Sequence, residues 1–205
     1  DVRIRKMCCP GAGAVFQASW ELTNLDLVID AKTIKKRFKI DITLVNDFEL
    51  FGHYIMAANK KNIFRIKHGR AKNDVEIVLG AGTGLGKLIL AGDKLIVSEG
   101  GHSDFPIKDE FEFKLIKNME KCSYEDVLSG RGLENIYIAL KKIKRFAKTK
   151  YSKEIDSSKY KANLISAYRK KDAACKETFR LFSEFYGRCA RNLALEVLAL
   201  GGVYI

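Results

Sequence analysis

The chain has 205 residues, a formal net charge of +12 and 47% hydrophobic residues, enough for one large or two small domains around a substantial core. No apolar run approaches the roughly 20 residues of a membrane span, and Asp1-Val-Arg-Ile-Arg lacks the apolar stretch of a signal peptide, so a soluble globular protein is expected. The five cysteines, Cys8, Cys9, Cys122, Cys175 and Cys189, are odd in number and lack CxxC spacing, which argues against a disulfide framework or a zinc ribbon and for a reducing cytoplasm.

In chain order the pattern is mixed α and β. Residues 2–8 and 14–23 read as strands joined through a Pro10-Gly11 turn, and 31–38 as a short helix. IDITLV at 40–45 alternates like a strand and stops at Asn46-Asp47, after which 48–59 reads as a helix. Strands are expected around 62–66, 75–80, 87–91 and 94–98, then helices near 107–121, 124–128, 132–147 and 172–199. The intervening 148–171 reads as a mobile loop, and GGVYI at 201–205 starts another strand.

Residues 79–87, LGAGTGLGK, place Gly80, Gly82, Gly84 and Gly86 at alternate positions. The dinucleotide fingerprint fails here, because counting from Gly80 or Gly82 puts Leu85 or Lys87 where the third glycine belongs. The Walker A pattern fails at Ala81 and Leu88. What remains is a β-hairpin. Its glycines let successive backbone N–H groups face one concavity, which suits a phosphate, and Thr83 adds a hydroxyl; a merely tight turn accounts for the same residues.

The basic run KKIKRFAKTKYSK at 141–153 could track a phosphate backbone. Ile143 and Phe146 fall at helical spacing from Leu140, however, and aromatic residues are not interleaved as stacking platforms. The run therefore reads as the solvated face of an amphipathic helix entering a polar loop, which goes against a nucleic-acid partner.

Polar residues at element ends are the candidates for chemistry. Asp47 stands where a strand gives way to a helix, a place where carboxylates meet ligands in open α/β sheets, and its other reading is the helix N-cap. Glu99 and His102 flank Gly100-Gly101 in SEGGHSDF. Glu125 in SYEDVLSG lies in a first helical turn, with Ser123 and Asp126 forming a capping box.

Taken together, TNLDLVID, LVNDF, LGAGTGLGK, SEGGHSDFP, YEDVLSGRGLENIY, FYGRCARNLAL and GGVYI follow one another in an order that strongly resembles the bacterial-type glucokinase family of the sugar kinase, actin and heat-shock ATPase superfamily. The resemblance covers nearly the whole chain. It implies an α/β, ribonuclease-H-like (actin-like ATPase) fold of two lobes, residues 1–57 belonging to the smaller and 58–205 to the larger, with the sugar in a cleft between them. The implied activity is ATP-dependent phosphorylation of glucose at its 6-hydroxyl, with ATP and Mg²⁺ as cofactors. Asp47 would be the general base. Asn46, Glu99, His102 and Glu125 would bind the sugar, whose hydroxyls each donate and accept, and Gly82, Thr83 and Gly84 would form the phosphate loop. A catalytically silent sugar-binding or regulatory relative and a kinase for another hexose stand as alternatives, and a homodimer is left open.

The sequence departs from the family in several places. No Asp-Gly-Gly-Thr-Asn loop precedes LTN, and nothing beyond GGVYI supplies the family's adenosine motif, so the chain is expected to lack the N- and C-terminal segments of the fold. Asp26-Leu27 stands where many members have Pro-Trp. The zinc-binding members of the related ROK family carry a CxCGxxGC-like cluster after their sugar-site histidine. After His102 the cysteines are single, so no structural metal is expected.

Overall fold

The computed structural model describes residues 4–11, 15–16, 19–21, 28–58, 60–117, 119 and 122–205. Contacts divide the chain into two compact units, residues 1–69 with 93–97, and residues 70–92 with 98–205.

In the first unit, β1 (Lys6–Gly11) pairs in parallel with β5 (Asp41–Asn46), from Lys6 opposite Asp41 to Gly11 opposite Asn46. A small antiparallel sheet is made by β2 (Val15–Phe16), β3 (Ser19–Glu21) and β4 (Val28–Asp30). The expected turn at Pro10-Gly11 is instead the end of β1, where Pro10 sits opposite Val45. Among the described residues β1 pairs with β5 alone, and an edge strand of this kind tolerates a proline where its nitrogen faces away from the ladder. Trp20, Ala31 and Leu44 form the buried core of this unit. A Cβ on Gly11 would fall inside the Trp20 ring, so only glycine lets the indole lie on this backbone.

The strand expected over 14–23 is thus split between β2 and β3, with residues 14, 17–18 and 22–23 outside the described residues. Residues 2–3 and Asp26-Leu27 lie outside them as well. After α1 (Ala31–Phe38), capped by Asp30, β5 leads directly into α2 (Asp47–Ala57). No strand forms at 62–66: a single 3₁₀ turn at Lys60–Asn62 gives way to irregular chain in which Phe64 and Ile66 are exposed. Strand propensity there meets no partner strand among the described residues, and an unpaired strand has no ladder to stabilise it.

The second unit is built on β6 (Val75–Ala81), flanked by antiparallel β7 (Leu85–Ala91) and parallel β9 (Gly202–Tyr204). Ile77, Val78, Leu79, Leu88 and Leu90 are buried, which fits strands rich in β-branched and aliphatic residues covered by helices. After β8 (Lys94–Ser98) come α3 (Glu110–Ile116), α4 (Tyr124–Val127), α5 (Gly130–Lys141), α6 (Ser152–Ser157), α7 (Lys161–Tyr168) and α8 (Ala173–Glu196). Their core joins Ile136, Tyr137 and Leu140 of α5 to Leu181, Phe185 and Cys189 of α8. None of the helices among the described residues is long and apolar enough to cross a membrane.

Three helical expectations need correction. The helix expected at 107–121 is shorter, because Asp109 accepts the Glu112 N–H at 3.0 Å and sets its start at Glu110. The one expected at 132–147 starts at Gly130 and breaks after Lys141, where crowded like charges oppose helix continuation and Ile143 turns extended, before a 3₁₀ turn buries Phe146. The expected loop at 148–171 instead holds α6 and α7. Ile155 and Ile165 are fully buried, the Tyr151 and Tyr168 rings stack at 4.0 Å, and Glu134 of α5 accepts the Ala162 N–H at 3.0 Å.

Candidate functional site

Asn46 and Asp47 sit in the first unit, at the junction of β5 and α2. Asn46, not Asp47, is the N-cap: its side-chain oxygen accepts the N–H groups of Phe48 at 2.8 Å and Glu49 at 3.2 Å, and Glu49 accepts the Asn46 N–H in return. This capping box fixes the exit angle of the strand. Asp47 begins the helix with its carboxylate exposed, accepting the N–H of its neighbour Phe48 at 2.8 Å. A carboxylate in the first turn is stabilised as an anion by the helix dipole.

The other candidates belong to the second unit. Between β6 and β7, residues Gly82, Thr83 and Gly84 form the hairpin bend, with Gly82 and Thr83 exposed. The Gly82 N–H closes the bend on the Gly84 carbonyl at 2.8 Å, and the Gly82 carbonyl accepts the Gly130 N–H at 2.9 Å, which seats the bend on the first turn of α5. A Cβ on Gly82 would meet nothing within 4 Å. The bend is therefore open on that side to a ligand.

Glu99 and His102 frame a 3₁₀ turn, Gly100–His102, with His102 Nε2 3.7 Å from a Glu99 carboxylate oxygen and both side chains more than half exposed. Both leave one short loop, as the spacing suggested. Ser98 Oγ accepts the Gly100 N–H and Ser103 Oγ donates to the Gly100 carbonyl, so serines on either side fix the loop. Gly101 is pressed against β7: a Cβ there would lie 2.3 Å from the Leu85 carbonyl oxygen.

Glu125, in α4, does something the sequence did not reveal. One of its carboxylate oxygens accepts the Leu85 N–H at 3.0 Å, closing the far side of the glycine bend, while the other lies 3.8 Å from the Arg131 guanidinium. Arg131 also donates to Asp126 at 3.0 Å. A Cβ on Gly84 would come within 2.5 Å of the Glu125 carboxylate, so the glycine makes room for this side chain. Ser123 and Asp126 form the expected capping box beneath it. The backbone of Leu85 is thus where three motifs converge, its N–H held by Glu125, its carbonyl against Gly101, and its position one residue past the bend.

Sequence reasoning also missed Lys87. It is buried in β7 with its ammonium 3.8 Å from the centre of the Tyr124 ring and close under Gly100. A lysine in the otherwise apolar LILA strand was the available signal. Burial raises the Cys189 and Tyr124 pKa values, with Lys87 opposing the shift at Cys189 and a hydrogen bond from Asn192 opposing it at Tyr124. A buried cation over an aromatic face is a favourable contact when desolvated.

Comparison with known proteins adds an independent line. A family model described as glucokinase matches residues 2–205. Among curated relatives, a glucokinase of Nostoc punctiforme is 34% identical over 227 residues, covering 98% of this chain and 66% of its own length. The crystal structure of a glucokinase from an Antarctic psychrotroph superposes with a TM-score of 0.74 at 26% identity, covering 96% of this chain and 62% of that one. A Balamuthia mandrillaris glucokinase, solved in complex with glucose, gives a TM-score of 0.71 at 17% identity, over 97% of this chain and 62% of that one, and bears on the fold alone. The chain therefore has the sugar kinase fold and spans just under two thirds of the length of the relatives it matches. With its model matched from residue 2 to residue 205, the chain belongs to the glucokinase family.

Proposed function

We propose that this protein transfers the γ-phosphoryl group of ATP to the 6-hydroxyl of glucose, giving glucose 6-phosphate. The observation that carries the reading is the pairing of family membership over residues 2–205 with an exposed carboxylate, Asp47, at the strand-to-helix junction. Asp47 takes the proton that the neutral hydroxyl must lose. Asn46 beside it, with Glu99, His102 and Glu125, satisfies the sugar's other hydroxyls by directional hydrogen bonds. The bend at Gly82, Thr83 and Gly84 receives the phosphates. Its open side at Gly82 admits their close approach, and with the Gly82 N–H turned inward the donors are the N–H groups of Thr83 and Gly84 and the Thr83 hydroxyl.

Phosphoryl transfer needs alignment and charge neutralisation more than covalent help, and bound Mg²⁺ would supply part of the neutralisation on the phosphates. The reaction takes place in the cytoplasm, with neither membrane nor nucleic acid taking part.

The test is Asp47→Asn in the full-length protein. An amide still hydrogen-bonds a hydroxyl but cannot accept its proton, so kcat falls by about 10²- to 10⁴-fold while glucose affinity and the melting curve are retained. A variant keeping more than about a tenth of kcat, with chemistry rate-limiting, removes Asp47 as the base and favours a silent sugar-binding relative.

A further inference from the structure

We propose that Glu125 couples the two ligand sites, so that sugar binding and nucleotide binding strengthen each other through the glycine bend. The proposal rests on the reading of Glu125 as a sugar ligand given above, and it adds what the geometry shows that carboxylate to be holding.

One oxygen of Glu125 accepts the Leu85 N–H at 3.0 Å, and Leu85 is the residue that ends the bend offered to phosphate. The side chain lies so close over Gly84 that a methyl group there would be 2.5 Å from the same oxygen. A second restraint comes from Arg131, whose guanidinium approaches the other oxygen at 3.8 Å while anchored on Asp126 at 3.0 Å. On the opposite side of Leu85, its carbonyl packs against Gly101 of the loop that carries Glu99 and His102. Groups assigned to the sugar therefore grip the backbone just after the groups assigned to phosphate, from both directions.

A carboxylate has lone pairs for several donors, so a sugar hydroxyl can be added without giving up Leu85. The Glu125 side chain is 21% exposed, so a sugar hydroxyl can reach it and add to the contacts that fix it. Once it is immobilised, the residue closing the bend is immobilised with it, and the nucleotide then binds to a loop already ordered. Such coupling is reciprocal: the factor by which glucose tightens nucleotide binding must equal the factor by which nucleotide tightens glucose binding.

The contacts at the glycines make a discriminating test available. Gly84→Ala drives a methyl group into the Glu125 carboxylate, whereas Gly82→Ala meets nothing within 4 Å, and neither glycine has the positive φ that would strain an alanine. A substitution in the phosphate bend should therefore weaken sugar binding at one glycine and not at its neighbour. Calorimetric titration of the full-length protein with glucose, with and without a non-hydrolysable ATP analogue, reads both effects.

The expected results are a mutual tightening of at least about fivefold in the unsubstituted protein, the lower end of ordinary couplings, falling to about one in Glu125→Ala. Glucose dissociation constants should rise about tenfold in Gly84→Ala and less than about twofold in Gly82→Ala, with melting curves confirming folded protein. No mutual tightening in the unsubstituted protein overturns the proposal, as does a glucose affinity unchanged by Gly84→Ala. Should Gly84→Ala fail to fold, the coupling ratio in Glu125→Ala decides alone. Absence of any glucose binding to the unsubstituted protein defeats the functional reading itself, and the two failures are therefore distinguishable.

Discussion

Replacing Arg188 by Met should destabilise the second unit more than any surface change. Arg188 forks onto Glu112 with both hydrogen bonds at 2.8 Å, and the two side chains are only 10% and 4% exposed. The guanidinium also lies 5.0 Å from the Phe105 ring centre and 5.2 Å from that of Phe185, so the pair ties α3 to α8 across the segment that follows His102. Methionine matches much of the arginine stem but leaves the Glu112 carboxylate buried and unpaired. Breaking such a pair costs about 3–5 kcal/mol, and at about 2–4 °C per kcal/mol for a chain of this size the melting temperature should fall by roughly 6–20 °C. The Arg188 Nε has no hydrogen-bond partner among the described residues, so the pair is not fully satisfied and an apolar replacement of both partners should be well tolerated. Combining Glu112→Leu with Arg188→Met should therefore recover at least about half of the loss, because exposed Lys108, whose N–H Glu112 accepts, can turn to water. Differential scanning calorimetry on the three variants measures this. A fall below about 2 °C in Arg188→Met, or a double variant no better than the single, would refute the argument.

Two further outcomes follow from the same contacts. Gly101→Ala would set a Cβ 2.3 Å from the Leu85 carbonyl oxygen, so the loop bearing Glu99 and His102 must shift; steady-state kinetics should show the glucose KM rising about tenfold or more, and an unchanged KM would take this loop out of the sugar site. Asp172 caps α8 by accepting the N–H groups of Ala174 at 2.9 Å and Cys175 at 3.1 Å, and it also accepts that of Tyr151; burial raises its pKa, but these backbone bonds outweigh burial and hold it below 3.8. Asp172→Ala should cost about 1–2 kcal/mol at neutral pH. Because the folded pKa is depressed, that contribution is present above about 3.8 and is lost as pH falls through the folded value, so urea titrations of the two proteins should converge in acid.

What could be read in the sequence was whatever local pattern dictates. The β6–β7 hairpin was legible because β-rich runs flank a cluster of glycines, and α8 because its apolar positions repeat at helical spacing over 24 residues. The helices α6 and α7 were not legible, since Tyr151 and Tyr160 give them no side-chain cap and the stabilising contacts come from elsewhere: Glu134 on α5, and a tyrosine pair seventeen residues apart in sequence, Tyr151 and Tyr168. At the site, the order of motifs singled out Asp47, Glu99, His102 and Glu125, and the spacing of Glu99 and His102 correctly put them on one loop. It did not reveal that Asn46 takes the capping role offered to Asp47, nor that Glu125 holds Leu85, because both depend on which backbone donor lies within reach of a side chain.

The parallel pairing of β9 with β6 bears on how this protein is made. Tyr204 of β9 sits opposite Val78, and its hydroxyl bonds Glu76 across 128 residues of sequence, so the central strand of the second unit keeps one edge open until the residues of β9 are available. At synthesis rates of roughly 5–20 residues per second, that interval is several seconds to about half a minute. During it, Ile77 and Val78 have β7 as a neighbour but no parallel partner, and an unpaired apolar strand edge is a template for pairing with other chains. The asparagine at 73 meets the returning chain first: its side chain donates to the Leu198 carbonyl at 2.8 Å and accepts the Leu200 N–H at 3.0 Å. That polar clasp sets the register in which β9 arrives, and nascent-chain solubility should depend on it more strongly than the stability of the finished fold does.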